Sequence, residues 1–241
     1  MSDPRKLAES FTKELHDAVG SRLRAASLFG SAARGEWVED VSDVNVVVLM
    51  DTLDPVLLDR AAPAARHALE HGVTPLLMEL DEWRRAADVF AIELADMKDA
   101  SIPLLGDDPT AGAVVDTGHL RLQAERELRA RLLHLHGGML VAAGDADRLG
   151  TMLVRALPSF MTYMRATLRL AGRPVPADSP STIREACDVA DADAAAFLRV
   201  LDARNAGGTL SAPLTEPLVD GFNTAATRLA ACIDAFGRHA S

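Results

Sequence analysis

The hydrophobic pattern of this 241-residue chain changes character near residue 110, and this change constrains the fold more than any other feature. Before that point, short runs rich in Val and Leu alternate with stretches of helical periodicity. After it, apolar residues recur only at steps of three and four, as a core-facing helix requires. Strands that alternate with helices favour a sheet domain. We therefore expect an α+β protein with one domain over residues 1–110 and a second over residues 111–241.

The first domain contains several strand signals. The strongest is DVNVVVLM over residues 43–50, because a β-branched run suits a buried position in a sheet. Pro75 would confine the strand that contains it to a sheet edge or to a strand start. The pattern predicts a small mixed sheet. Its strands are expected over 23–29, 43–50, 73–80, 89–94 and 102–106, with helices over 3–20, 54–71 and 81–88.

The second domain shows four apolar stripes at helical spacing. They run over residues 128–139, 149–164, 183–201 and 218–236. Gly172 and Pro174 end the second stripe, and Ser179-Pro180 opens the third. Four amphipathic helices joined by short loops predict an antiparallel four-helix bundle. Pro158 lies inside the second predicted helix, where we expect a kink.

The acidic excess of the chain lies in its first part. Residues 1–110 carry 11 Lys and Arg against 21 Asp and Glu, whereas the remainder is balanced. Such a charge argues against a nucleic-acid partner and is compatible with carboxylates around a cation, or with an acidic surface that keeps the protein in solution. No apolar run approaches the ~20 residues of a membrane span, so we expect no membrane partner. With two cysteines, the sequence predicts a cytoplasmic protein with reduced thiols.

The segment over residues 27–50 carries the chemistry. Gly30 allows a ligand to approach the backbone closely. Ser31 offers a hydroxyl and an N–H at what the sequence suggests is the start of a helical turn, where a phosphate is favoured. Asp43 and Asn45 are two apart on a predicted strand, so their side chains share a face. Two oxygen ligands at one strand edge can hold Mg²⁺ against a nucleoside triphosphate.

These residues form a recognisable pattern, Gly-Ser-x-x-Arg-Gly over residues 30–35 followed by Ser42-Asp43 before a Val-rich strand. The segment resembles the nucleotidyltransferase superfamily, whose fold DNA polymerase β and the kanamycin nucleotidyltransferase share. The superfamily pattern is Gly-Ser, a spacer, and Asp-x-Asp in a hydrophobic strand. The resemblance implies transfer of a nucleoside monophosphate from an NTP to an acceptor hydroxyl. It implies that Asp43 binds Mg²⁺ or Mn²⁺ and that Gly30, Ser31 and Arg34 contact the nucleotide.

The chain departs from this pattern at Asn45, which stands where the superfamily has its second aspartate. An asparagine offers a carbonyl oxygen but no charge, so the metal is expected to bind weakly if at all. The resemblance also implies a third carboxylate on a later strand, as metal ligand or base. Both Glu93 and Glu79 lie between hydrophobic residues, and we prefer Glu93 because Pro75 weakens the earlier strand.

Two functions remain open on this evidence. One is an active nucleotidyltransferase, with a small molecule or a protein as acceptor. The other is a catalytically inactive nucleotide-binding or protein-interaction module on the same fold. Arg34 fits either a phosphate contact or a surface ion pair with Glu36 or Glu39. The sequence leaves the oligomeric state open, a homodimer included.

The first predicted bundle helix carries two Arg-x4-His spacings, Arg129 with His134 and Arg131 with His136. This spacing resembles a motif of the helical HEPN ribonucleases. The same residues fit a solvated helix face, where acidic residues four positions earlier would pair with the arginines. They also fit a third role, in which some of the arginines hold substrate phosphates.

Overall fold

The computed structural model describes residues 2–237, and the chain divides into two compact units, Met1–Val115 and Asp116–Ser241. Each unit has a hydrophobic core of its own, and the two are described separately. None of the helices in the described part of the chain is both long and apolar enough to cross a membrane.

The first unit is built on a mixed sheet of four strands within residues 2–115. The strands are β1 (Leu23–Phe29), β2 (Val44–Met50), β3 (Val73–Glu79) and β4 (Ser101–Gly106), in the order β3-β2-β1-β4. β1 runs antiparallel to β2 and β4, whereas β2 and β3 are parallel. The strand with Pro75 therefore lies at the sheet edge, as its missing backbone N–H requires.

Four helices cover the two faces of this sheet: α1 (Pro4–Val19), α2 (Pro55–Glu70), α3 (Leu80–Arg85) and α4 (Ala91–Asp99). Asp3 and Asp54 cap α1 and α2, and a proline follows each cap. Helices α1 and α2 pack on the sheet face that presents Leu28 and Val46. Helices α3 and α4 cover the opposite face, where Trp83 and Met97 meet Ala25, Val47 and Leu49.

The strand predicted over residues 89–94 is wrong, because this segment opens α4. Ala91, Ile92, Leu94, Ala95 and Met97 are all buried, so the helix presents apolar residues on most of its circumference. A window of six residues with this composition looks the same as a buried strand. Glu93 consequently lies in the first turn of a helix and not on a strand.

The second unit has five helices within residues 116–237, not the four that the stripes predicted. They are α5 (Thr117–Val141), α6 (Ala146–Leu170), α7 (Ser179–Val189), α8 (Ala195–Asn205) and α9 (Pro217–Ala235). The third predicted helix is divided because Asp191 adopts a positive φ of 49° and Asp193 accepts a hydrogen bond from Ala195 N–H. Helix α6 passes through Pro158 without interruption. The rings of Phe160, Phe197 and Phe222 meet at the centre of the core.

Candidate functional site

The pairing of β1 with β2 brings the Gly30 turn against Asn45. Phe29 lies opposite Asn45 in the antiparallel register, and Gly30 follows directly with a φ of 76°. A Cβ atom built on Gly30 would lie 3.2 Å from Nδ2 of Asn45. The glycine therefore permits both the left-handed turn and the close approach of the Asn45 amide.

Residues 30–35 form one hydrogen-bonded turn that does not continue into a helix. The Arg34 N–H donates to the Gly30 carbonyl at 3.2 Å, and the Glu36 N–H donates to the Ser31 carbonyl at 2.9 Å. Gly35 has a φ of 76° and ends the turn. The predicted start of a helical turn is thus present at Ser31, but no aligned stack of peptide dipoles follows it.

Arg34 fastens this turn to α4. Its guanidinium donates to the Asp96 carbonyl oxygen at 3.3 Å and lies 3.9 Å from the Asp96 carboxylate. The two side chains are 9% and 13% exposed, so this ion pair is largely shielded from water. The Glu39 carboxylate accepts a hydrogen bond from the backbone N–H of Ser2. Arg34 therefore holds the turn against α4 through Asp96. This partner differs from those that the sequence suggested, which were a phosphate, Glu36 and Glu39.

The loop from the turn to β2 is held by two residues that sequence reasoning did not select for this role. Nε1 of Trp37 donates to the Ser42 carbonyl oxygen at 2.8 Å, and the Ser42 hydroxyl accepts from the Val38 N–H at 2.9 Å. Trp37 packs against the core of the first unit. The sequence signal for a fixed loop was Trp37 itself, because a lone tryptophan in a polar, glycine-containing loop tends to bury its ring.

Asp43 ends this loop immediately before β2. Its side chain is exposed and has no hydrogen-bond or ion-pair partner among residues 2–237. Strand alternation continued one residue beyond β2 would put Asp43 and Asn45 on the same face. An unpaired carboxylate two residues before Asn45 is free to interact with a bound cation.

The structure does not bring Glu79 to this strand end, and a role for Glu93 as third carboxylate stays a prediction. Asn45 lies opposite Thr74 in the parallel register, and Glu79 is five positions further along β3, a distance of roughly 16 Å. An oxygen of Glu79 instead accepts from the Leu53 N–H at 2.8 Å. The argument for Glu93 depended on a strand over residues 89–94, which the structure replaces with α4.

The donors that the strand register fixes at this end do not by themselves form a two-metal site. They are the Asn45 amide oxygen and the Thr74 hydroxyl opposite it, and the Asp43 carboxylate lies two residues before Asn45 in the chain. Among residues 2–237, no cluster of three or more His, Cys, Asp or Glu side chains could hold a metal ion. Mg²⁺ is commonly held by one or two carboxylates together with substrate phosphates. A single carboxylate therefore fits a cation that arrives bound to a triphosphate.

The members of each arginine–histidine pair of α5 make different contacts. Arg129 forms ion pairs with Glu125 and Asp234, whereas His134 lines a groove between α5 and α6. Arg131 lines that groove, whereas His136 contacts Asn223 at 2.8 Å. Five residues rotate a helix by about 140°, so an Arg-x4-His spacing places its members on different faces. The geometry gives no support to the ribonuclease motif.

Comparison with solved structures shows the fold. The chain is similar to a spectinomycin adenyltransferase, AAD(9), from Enterococcus faecialis, whose crystal structure contains ATP and spectinomycin. The TM-score is 0.61 at 12% identity, over 93% of this chain and 98% of that chain. A toxin–antitoxin structure with AMP-PNP matches with a TM-score of 0.33 at 25% identity, over 49% of this chain and 92% of that chain, which is too weak to carry an argument.

No family model matches the sequence, and no curated protein matches it either. The likeness to the adenyltransferase shows that this chain has a nucleotidyltransferase-like α+β fold, as the resemblance at Gly30, Ser31 and Asp43 implied. At 12% identity, the likeness extends to the fold alone.

Proposed function

We propose that this chain is a nucleotidyltransferase of reduced activity. It binds an NTP beside the Gly30 turn and transfers the nucleoside monophosphate slowly to an acceptor hydroxyl. The observation that carries the proposal is the contact of Gly30 with Asn45 next to the unpaired carboxylate of Asp43. The structural neighbour with ATP and spectinomycin supports it, because that protein is an adenyltransferase of the same fold.

The residues of this chain contribute mainly by positioning. The open backbone at Gly30 and the Ser31 hydroxyl accept the phosphates, and the bond from Arg34 to α4 keeps the turn in place. Asp43 would hold the Mg²⁺ or Mn²⁺ that enters as part of the NTP complex, and the cation would neutralise charge on the phosphates. The acceptor is a small molecule or a protein side chain that carries a hydroxyl.

Asn45 limits the rate because it provides no negative charge. A metal acting as a Lewis acid contributes several kcal/mol to a transition state of this kind. A loss of about 4 kcal/mol would lower the rate about a thousandfold. The missing charge is not replaced by β3, where Thr74 lies opposite Asn45.

A second function uses the same site without the chemistry. The register places the uncharged Thr74 of β3, and no carboxylate of that strand, opposite Asn45, which favours a nucleotide-binding or protein-interaction module. The enzyme and a nucleotide-binding module both require that an NTP binds, and these two differ only in turnover.

The test measures ATP binding by equilibrium dialysis and pyrophosphate release with Mg²⁺ or Mn²⁺. With water taking the place of the acceptor hydroxyl and AMP as the second product, we expect slow release by the native protein, none by Asp43→Ala, and faster release by Asn45→Asp. Asp59→Ala is the matched control, because Asp59 is exposed and unpaired on α2 of the same unit. Binding without release by the native protein supports the module. If neither the native protein nor Asn45→Asp binds ATP, both proposals are wrong.

A further inference from the structure

A groove lies between α5 and α6 of the second unit. Its volume is about 440 Å³, within the range of pockets that hold small molecules. Steps of three and seven residues place Arg148, Thr151 and Arg155 on one face of α6, and Arg131 and His134 lie on the facing side of α5.

The arginines of this groove form no ion pair with an acidic side chain among residues 2–237. Arg131, Arg148 and Arg155 are exposed, and none has a hydrogen-bond or ion-pair partner for its side chain among residues 2–237. Other arginines of the same unit do have acidic partners, as Arg129 and Arg173 show. Three guanidinium groups around one groove repel one another, and an anion between them removes that repulsion.

The bottom of the groove is apolar, and its geometry is fixed by a glycine. Leu135 is buried beneath the cationic rim, and Met152 lines the α6 side. A Cβ atom on Gly138 would lie only 2.2 Å from Sδ of Met152, so the glycine allows α5 to accept this side chain. A cationic rim over an apolar base suits a ligand with both phosphate groups and an organic part.

We propose that the α5–α6 groove binds a phosphorylated small molecule that carries at least two negative charges. The guanidinium fork pairs with phosphate oxygens through two hydrogen bonds, which makes arginine the preferred residue for such recognition. His134 adds a ring N–H donor. The proposal rests on the groove alone and holds whether or not the Gly30 turn binds an NTP.

The first experiment measures binding of inorganic pyrophosphate to the full chain by isothermal titration calorimetry. We expect Arg131→Ala/Arg155→Ala to weaken binding at least tenfold, because two charged hydrogen-bond donors are lost. Arg173→Ala/Arg184→Ala removes the same charge elsewhere on the unit and is expected to change the affinity less than twofold. Circular dichroism verifies that both variants fold. Absence of pyrophosphate binding to the native protein, or an equal loss in both variants, would overturn the proposal.

The second experiment identifies which part of the ligand is recognised. ADP presents the same two phosphates with an organic group attached, so its affinity is compared with that of pyrophosphate. If ADP binds more strongly than pyrophosphate, and Met152→Gln removes this difference without changing the pyrophosphate affinity, the ligand is an organic phosphate. Equal binding of the two probes, unaffected by Met152→Gln, indicates a free polyphosphate. Arg131→Ala/Arg155→Ala must weaken both probes; retention of either one contradicts the assignment to this groove.

Discussion

Replacing Gly30 by alanine separates the strain of the turn from the nucleotide contact that we propose there. Gly30 and Gly35 share a φ of 76°, so alanine at either position pays the same left-handed backbone cost of about 1–2 kcal/mol. The two sites differ in their surroundings. A Cβ on Gly30 lies 3.2 Å from the Asn45 amide, whereas a Cβ on Gly35 has no heavy atom within 4 Å.

The free energy of unfolding is therefore expected to fall by a similar amount in Gly30→Ala and Gly35→Ala. The tight contact at Gly30 adds little, because a shift of a few tenths of an ångström relieves the Asn45 amide. ATP binding should respond differently. The new methyl group of Gly30→Ala occupies the surface where the phosphates approach, and we expect an affinity at least tenfold lower, equivalent to about 1.4 kcal/mol.

Urea unfolding followed by tryptophan fluorescence gives the stabilities, and equilibrium dialysis with ATP gives the affinities. Gly35→Ala is the matched control, expected to bind ATP as the native protein does. Equal loss of affinity in both variants would show that turn conformation, and not close approach at Gly30, governs binding. Native affinity in Gly30→Ala would refute a phosphate site at this turn.

Three further predictions concern stability. Gly150→Ala should destabilise the second unit by about 3 kcal/mol, because the new Cβ atom would lie 1.9 Å from a loop carbonyl oxygen. Gly137→Ala should stabilise the unit by up to ~1 kcal/mol, because a Cβ atom there would meet no neighbouring atom within 4 Å and alanine favours a helix. Thermal unfolding measures both changes. The Ser27 hydroxyl is buried without a partner within the described chain, so Ser27→Ala should raise the free energy of unfolding by about 1 kcal/mol, whereas Thr12→Val, which loses a hydrogen bond, should lower it. Burial raises the pKa of the Cys187 thiol from 9.0 to about 11, so the stability that its neutral form contributes is complete below pH 9 and is lost as the pH rises towards 11. The native protein should lose stability over that interval and Cys187→Ala should lose less; parallel pH profiles would contradict this.

Local sequence signals predicted most of the first unit. The β-branched run before Met50 and the aspartate–proline starts of α1 and α2 specify their elements without reference to distant residues. Such signals fail where an element is buried on most sides, because its sequence then lacks the regular alternation of apolar and polar residues. Helix α4 illustrates this, because its apolar residues surround the helix on most sides. Its Ala, Leu and Met content favours a helix and was the signal available.

The division of the third predicted helix has a different cause. Apolar spacing continues from Cys187 through Ala190 and Ala194 to Phe197, so the stripe itself shows no interruption. The break is made by the backbone at Asp191 and the cap at Asp193. Aspartate is favoured at helix starts and poorly suited to helix interiors, and its repetition here was the only local sign of a break.

Some positions in the candidate site depend on nearby residues and could be predicted, whereas others depend on the pairing of distant strands. Asn45 lies next to Gly30 because a short loop connects two antiparallel strands, and that loop is fixed by Trp37 and Ser42. The position of a third acid depends instead on the parallel register of β3, which follows a helical crossover and is not visible in the sequence. The register places Thr74 opposite Asn45 and carries Glu79 to the far end of the strand. The two acidic positions that the superfamily pattern pairs therefore differ in what they retain here: Asp43 keeps its charge, while Asn45 keeps only a side chain of matching shape. If the proposed function is right, this site keeps the shape needed to bind a nucleotide more fully than the charge needed for transfer.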